Sequence, residues 1–263
     1  MERSAEVMGT PLSVPGQRFQ ILGVPLDNVS MPEALERIEV FLREKVPRQH
    51  VSINVHKIVM LQRDPRLREV VEASDLATAD GQPVVWAARL LGRPLKGRIT
   101  GIDLMENLLA LAAQKGYRVY FLGAQKEVVA RAVDHYRSRY VRLNVAGWAD
   151  GYWSPAEEPR IVSEIARARP DILFVALNSP RKENFIHEHR EQMQVPFAMG
   201  VGGVRGQIFD RQVTKSFSSS RYISSEVVVV RWPLSIFKKA KAVIKPPVAL
   251  ISLSFCIMII YRF

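Results

Sequence analysis

The spacing of apolar positions along the chain switches repeatedly between a period of two and a helical period, and the switches predict the elements. Residues 19–24 read as a short strand. Ser30 then opens a helix as N-cap, with Pro32 in the first turn and Glu33 closing a capping box. Residues 51–55 are strand-like. Asp64-Pro65 starts a helix that places Leu67, Val70 and Val71 on one face. A strand at 76–79 is followed by Asp80-Gly81-Gln82, and Pro83 then opens a helix ending before Gly92. Asp103 is read as the cap of a helix that stops at Gly116.

The alternation continues. A strand at 118–122 precedes a helix carrying Val128, Val129, Ala132, Val133 and Tyr136. A strand at 143–146 leads to a second capping box, Ser154-Pro155-Ala156-Glu157, and a helix through Ile161, Ile165 and Ala166. Residues 171–177 form a continuous apolar run, the mark of a strand buried on both faces. A polar helix over 181–192 and a strand at 196–201 complete the series. Strands alternating with helices of about 10–15 residues define βαβ units. The expected class is α/β, a doubly wound, mostly parallel, Rossmann-like sheet over residues 19–215, after a loosely ordered stretch at 1–18.

From Ser216 the pattern changes to a basic appendage over 216–263. Its run at 248–261 is apolar except for Ser252 and Ser254, and falls short of the roughly 20 residues of a spanning helix. A buried C-terminal helix is one reading. The neighbouring Lys238, Lys239, Lys241 and Lys245 favour a membrane anchor or in-plane insert, since a basic cluster supplies the second signal that peripheral anchoring needs.

Charge sharpens that picture. Of the net +11, eight units lie beyond Val201, where ten Lys/Arg face only Asp210 and Glu226. Such asymmetry implies an anionic partner: nucleic acid, anionic bilayer or phosphorylated substrate. The basic tail lacks interleaved aromatics for base stacking, so no nucleic-acid partner is expected. Cys256 is the single cysteine, which rules out an intrachain disulfide and fits a reducing cytoplasm. The N-terminus, with Glu2, Glu6, Pro11 and Pro15, does not read as a signal peptide.

In an open parallel sheet ligands bind beyond the carboxyl ends of the strands. The polar residues there are Ser52, Asn54, His56 and Lys57 by the first such strand, Asp80 after the next, Gly123 and Gln125, then Asn178 to Glu183, and finally Gly200, Gly202 and Gly203. Asp80 stands out, because an acid followed by glycine at a strand-to-helix turn lies open to substrate, although a plain helix cap explains it too. Asp103 faces the capping reading more strongly. His187 has Glu183 and Glu191 one turn away, which a solvated ion-pair face explains, and no metal site is expected. No phosphate-loop pattern, dinucleotide glycine fingerprint, Asp-x-Asp triplet or nucleophile elbow is present.

The run Asn54, Arg63-Asp64-Pro65, Ala73-Ser74-Asp75-Leu76, Ala79-Asp80-Gly81, Leu91-Gly92-Arg93-Pro94 and Arg98-Ile99-Thr100-Gly101-Ile102-Asp103-Leu104 resembles the WecG/TagA/CpsF glycosyltransferases, glycosyltransferase family 26. The likeness continues through Phe121-Leu122-Gly123, Asp150-Gly151-Tyr152-Trp153-Ser154-Pro155 and Pro170-Asp171-Ile172-Leu173 to Gly200-Val201-Gly202-Gly203. It implies transfer from a UDP-sugar to the sugar of a polyprenyl-diphosphate-linked acceptor, with inversion, without a metal or other cofactor, at the cytoplasmic face of the membrane. A homo-oligomer is compatible with it. It makes Asp80 the general base, Ser52 and Asn54 substrate contacts, and Arg98 a partner of the diphosphate. Asp103, Gly123, Lys182, Glu183, Gly202 and Gly203 complete the expected substrate-binding set. The family's Gly-x-Pro-x-Gln-Glu appears as Asn178-Ser179-Pro180-Arg181-Lys182-Glu183, which puts a cation where the family has an amide. Arg221 and Arg231 stand in the region where the family's appendage brings arginines to the site.

The leading functional expectation is a hexosyltransferase of exopolysaccharide assembly. An N-acetylmannosamine-type transferase of the same family and a nucleotide-binding oxidoreductase are the alternatives.

Overall fold

A computed structural model describes residues 17–202. The expectations for the loosely ordered N-terminal stretch up to residue 16, the basic appendage with its apolar segment, and Gly203 lie outside the described residues. Among those described, no helix is long and apolar enough to cross a membrane.

The run read as one strand at 19–24 is a hairpin. Strands β1 (Arg18–Ile21) and β2 (Val24–Asp27) pair antiparallel, with Ile21 opposite Val24. The two turn residues, Leu22 and Gly23, have φ of 55° and 74°, the left-handed pair that matches the twist of a tight hairpin. Leucine at the first of these positions hid the turn from a search for Asn-Gly or Gly-Gly. Asp27, 4% exposed, fastens the hairpin to the body. Its carboxylate accepts from Arg18 at 2.8 Å, Arg37 at 3.1 Å and the Ala77 backbone N–H at 2.7 Å. Burial alone would raise this carboxyl, but the hydrogen bonds and the two guanidinium charges outweigh burial and hold it below its usual range.

Helix α1 (Met31–Glu44) carries the capping box at Ser30 and Glu33. Beyond it the main sheet is built from β3 (Arg48–Ile53), β4 (Leu76–Ala79), β5 (Arg118–Gly123), β6 (Asn144–Ala149), β7 (Ile172–Ala176) and β8 (Phe197–Gly200). All five pairings are parallel, in the order β4-β3-β8-β7-β5-β6. Between the strands run α2 (Val55–Leu61), α3 (Pro65–Glu72), α4 (Gln82–Leu90), α5 (Gly101–Lys115), α6 (Lys126–Arg139), α7 (Glu158–Ala168) and α8 (Arg181–Met193). This is the doubly wound parallel sheet that the alternation implies.

Strand alternation divides the core. Val119 and Phe121 of β5 join Phe174, Phe197 and Met199 under α1, α5 and α6. Tyr120 and Leu122 point the other way, with Leu173, Val175 and Ala198, against Ile161 and Ile165 of α7 and Phe185 and Ile186 of α8. Every residue of β7 is buried, as its unbroken apolar run implies. A third cluster joins the hairpin, β3 and β4 to Ile58, Leu67, Val71, Val84 and Ala88 of α2, α3 and α4.

Further boundaries differ from the expectation, and the strand read at 143–146 runs over Asn144–Ala149. The strand read at 51–55 ends at Ile53, because Asn54 caps α2, its Oδ1 accepting from Lys57 N–H at 2.8 Å. Asp103 is not the cap of α5. Thr100 is, its Oγ1 accepting from the Asp103 N–H at 3.0 Å, so Asp103 sits in the first turn of the helix. The capping box at Ser154 and Glu157 forms, but it heads a 3-10 turn (Pro155–Glu157) that precedes α7.

Gly123 ends β5 with φ of 115°, and a Cβ there would lie 2.5 Å from the Ala176 carbonyl oxygen. Its place in the motif is thus explained by strand packing. Gly123→Ala is expected to lower stability by about 2 kcal/mol or more through backbone strain and that clash. Chemical-denaturation midpoints of the two proteins check it, and an unchanged midpoint would contradict the packing role.

Candidate active site

The sheet order places a switch point at β3. The chain leaves this strand for β4 on one flank and returns to the other flank only with β8. A cleft of about 440 Å³ opens beyond the carboxyl ends of β3, β4, β7 and β8, where such a sheet binds ligands. Ser52 and Asn54 come from β3 and its end, Asp80 from the end of β4, Arg98 and Asp103 from the loop before α5 and its first turn, Lys182 from α8, and Gly202 from beyond β8. These expected site residues are brought together. Gly123 and Glu183 do not line the cleft, and Gly203 lies outside the described residues.

Asp80 is fixed by its backbone, whose N–H donates to Ile53 O at 2.8 Å. Its Oδ2 lies 3.5 Å from the Gly101 N–H at the start of α5. Burial raises the carboxyl's pKa above its ordinary value of 3.8, while that N–H and the charges of Lys57, Arg98 and Lys182 pull against the rise. Gly101 allows this approach, since a Cβ on it would stand 3.1 Å from Ser52 Oγ. The Ser52 Oγ is itself buried with no hydrogen-bond partner, beside the candidate base.

Behind the cleft wall lies an ion pair that the sequence did not disclose. Lys57 Nζ donates to Glu183 Oε1 at 2.5 Å, with the two side chains 6% and 3% exposed. Ser179 Oγ donates to the same oxygen at 2.9 Å, and the Glu183 carbonyl accepts from Gln49 Nε2 at 3.0 Å. Burial alone would raise the Glu183 carboxyl, but the ammonium groups of Lys57 and then Lys182 hold it below the usual range. The expected surface ion pair of Glu183 with His187 is therefore absent, and it is His189 that pairs, with Glu158 at 2.9 Å. Lys182 Nζ donates to Val201 O at 3.2 Å. Burial pushes its pKa down, partly offset by Glu183 and Asp80 and reinforced by Lys57. Gly200 leaves room for its stem, because a Cβ there would meet Lys182 Cδ at 2.9 Å.

Thr100 and Glu106, to which the sequence reading gave no role, share the cleft wall with Ser179, one of the polar residues it placed at a strand end. Position was the available signal for Lys57, which stands three residues past Asn54 just beyond the carboxyl end of β3. The cations Lys57, Lys182 and Arg98 line the cleft together with the carboxylates Asp80, Asp103 and Glu106. Such a cleft offers cations to an anion and carboxylates to sugar hydroxyls. No cluster of three or more metal-ligating side chains occurs among the described residues.

Residues 19–210 match the model of the "Glycosyl transferase WecG/TagA/CpsF family", and the chain belongs to that family of glycosyl-transferring enzymes. This sets aside the oxidoreductase alternative. Among similar proteins, one from Bacillus spizizenii is 38% identical over 141 residues, covering 54% of this chain and 54% of that protein. One from Bacillus subtilis is 30% identical over 188 residues, 71% of this chain and 73% of the relative. One from Staphylococcus aureus is 31% identical over 191 residues, with coverage of 71% and 73%. The match to the first spans about half of that relative's length. All three are named N-acetylglucosaminyldiphosphoundecaprenol N-acetyl-beta-D-mannosaminyltransferase.

Removing one member of a buried ion pair strands the other charge, at a cost of about 3–5 kcal/mol. Lys57→Met is therefore expected to destabilise the protein by that amount, and the double variant Lys57→Met/Glu183→Leu to recover most of it. Thermal unfolding of the three proteins checks this, and a single variant as stable as the parent would show that the pair is dispensable.

Proposed function

We propose that this enzyme moves an N-acetylmannosamine-type sugar, with inversion, from a UDP donor to a sugar carried on undecaprenyl diphosphate. Asp80 is the general base. The observation that carries this reading is the half-buried Asp80 carboxylate, on which Lys57, Arg98 and Lys182 act from around one cleft. The names of the relatives favour this donor and acceptor over the hexose transfer of exopolysaccharide assembly that the sequence led us to expect.

The acceptor hydroxyl oxygen attacks the anomeric carbon of the donor, and Asp80 takes its proton as the new bond forms. The bond from that carbon to the UDP oxygen breaks, and the electron pair leaves with UDP. Arg98, exposed at the mouth, and Lys182, within the wall, face the charge that develops there. Ser52 Oγ has no protein partner and so offers its hydrogen-bonding capacity to the sugar. Asn54 spends its Oδ1 on the cap of α2, which leaves its NH₂ as the donor available to substrate.

With a panel of UDP-sugars and a polyprenyl-diphosphoryl N-acetylglucosamine acceptor, transfer from UDP-N-acetylmannosamine is expected. Asp80→Asn should lower kcat by about a hundred- to ten-thousand-fold with unchanged thermal unfolding. Near-parental turnover by the variant would remove Asp80 from the base role, and transfer of glucose alone would restore the hexose reading.

The pH dependence has a definite sign. A base must be ionised, and burial lifts the Asp80 pKa above 3.8. Thus kcat/KM is full above that raised value and falls as pH drops through it. An acid limb centred at or below 3.8 would contradict the burial effect, as would an identical limb in Asp80→Asn.

A further inference from the structure

We propose that the outer face of α4, with the loop that follows it, docks on an anionic lipid bilayer beside the catalytic cleft. The inference deepens the proposed function by giving the lipid-linked acceptor a route to Asp80.

Helix α4 is apolar on two sides. Val84 and Ala88, one turn apart, pack into the core with Val51 and Ile53. Trp86 and Leu90 are also one turn apart but lie about 200° around the helix from the first pair. They are 44% and 46% exposed, and Leu91 beyond them is 44% exposed. A helix apolar on both sides is expected to be covered on both. Among the described residues the other large exposed hydrophobics, Val46, Val141 and Tyr152, are separated in the chain, whereas Trp86, Leu90 and Leu91 fall within one six-residue stretch.

Charge selects the occupant. From Asp80 to Asp103 there is no acidic residue between, while Arg89, Arg93, Lys96 and Arg98 all fall in the interval. All four are exposed. Lys96 pairs with Glu33, and Arg93 lies over the Phe19 ring with its guanidinium carbon 5.6 Å from the centroid. Tryptophan, leucine and arginine from a segment without acids suit the boundary between headgroups and acyl chains. Position agrees, because α4 begins two residues after Asp80. A bilayer on this face presents a diphosphate in its headgroup layer close to the mouth of the cleft.

The test uses the full chain with Cys256→Ser and Leu90→Cys, labelled with a polarity-sensitive dye, and a matching Val141→Cys protein as control. Vesicles of phosphatidylglycerol and phosphatidylcholine should blue-shift the dye at position 90 and protect it from iodide, with reversal at high salt. Pure phosphatidylcholine and the control position should show neither effect. In the unlabelled chain, Trp86→Gln/Leu90→Gln/Arg89→Gln should lower transfer to a long-chain acceptor embedded in anionic vesicles by about tenfold. Transfer to a water-soluble short-chain acceptor should be unchanged.

A silent dye at position 90 on a chain that sediments with the vesicles would overturn the proposal. Shielding from iodide before vesicles are added would overturn it as well, assigning the face to residues 203–263 or to a second copy of the chain. Equal loss with both acceptors would mean that α4 acts on the cleft and not on the bilayer. If the parent chain turns over neither acceptor, the transferase reading fails, while the dye still decides the docking surface.

Discussion

The site depends on one buried contact, the Lys57–Glu183 ion pair. It joins the first turn of the helix after β3 to the first turn of the helix after β7. Two full charges away from water are tolerated when each is matched, although Glu183 Oε2 has no hydrogen-bond partner of its own. Ser179 supplies a second donor to Glu183, and Gln49 ties the same residue's backbone to β3. The pair thus fixes where α8 begins relative to β3, and with it the position of Lys182.

The sheet order makes this contact possible. Residues 57 and 183 are far apart in the chain, but β8 inserts between β3 and β7, so the two helix starts converge over it. The Ala79 and Ile53 ends lie side by side through the register of β3 with β4, which carries Asp80 to the same rim. On the other flank, Val201 N–H donates to Val175 O at 2.9 Å, holding the segment that accepts from Lys182. Close approach is allowed by small residues, Gly101 under Ser52 and Gly200 under Lys182. The cleft is therefore a consequence of topology before it is a matter of individual side chains.

That explains what the sequence made legible. Strands such as β7 and the periodic helices announce themselves, because burial on both faces or one face leaves a pattern in consecutive residues. Ser52, Asn54, Asp80, Arg98, Asp103, Lys182 and Gly202 could be singled out because they follow strand ends or motifs, and each lines the cleft. The hairpin turn at Leu22-Gly23 was missed because its leading residue is atypical for a positive φ. Asn54 was counted with a strand because Val55 prolongs the apolar run, although its side chain caps a helix. Asp103 and Thr100 are both capable caps, and only the backbone tells which one is used. The partner of Glu183 was illegible for a different reason. Local spacing offers His187, whereas the actual partner is brought in by a contact across 126 positions.

The same pair bears on the chemistry of Asp80. Burial and nearby cations act on its carboxyl in opposite senses, and burial prevails. An unpaired Lys57 ammonium in this wall would favour the Asp80 carboxylate more strongly. Each pK unit lost in that way corresponds to about 1.4 kcal/mol. Glu183 pairs with Lys57, so the wall holds this cation with its charge matched. Lys182, where the family has an amide, adds a second cation to the wall, and its own burial lowers its pKa. The arrangement is one charge balance spread over four side chains, and no member of it can be interpreted by itself.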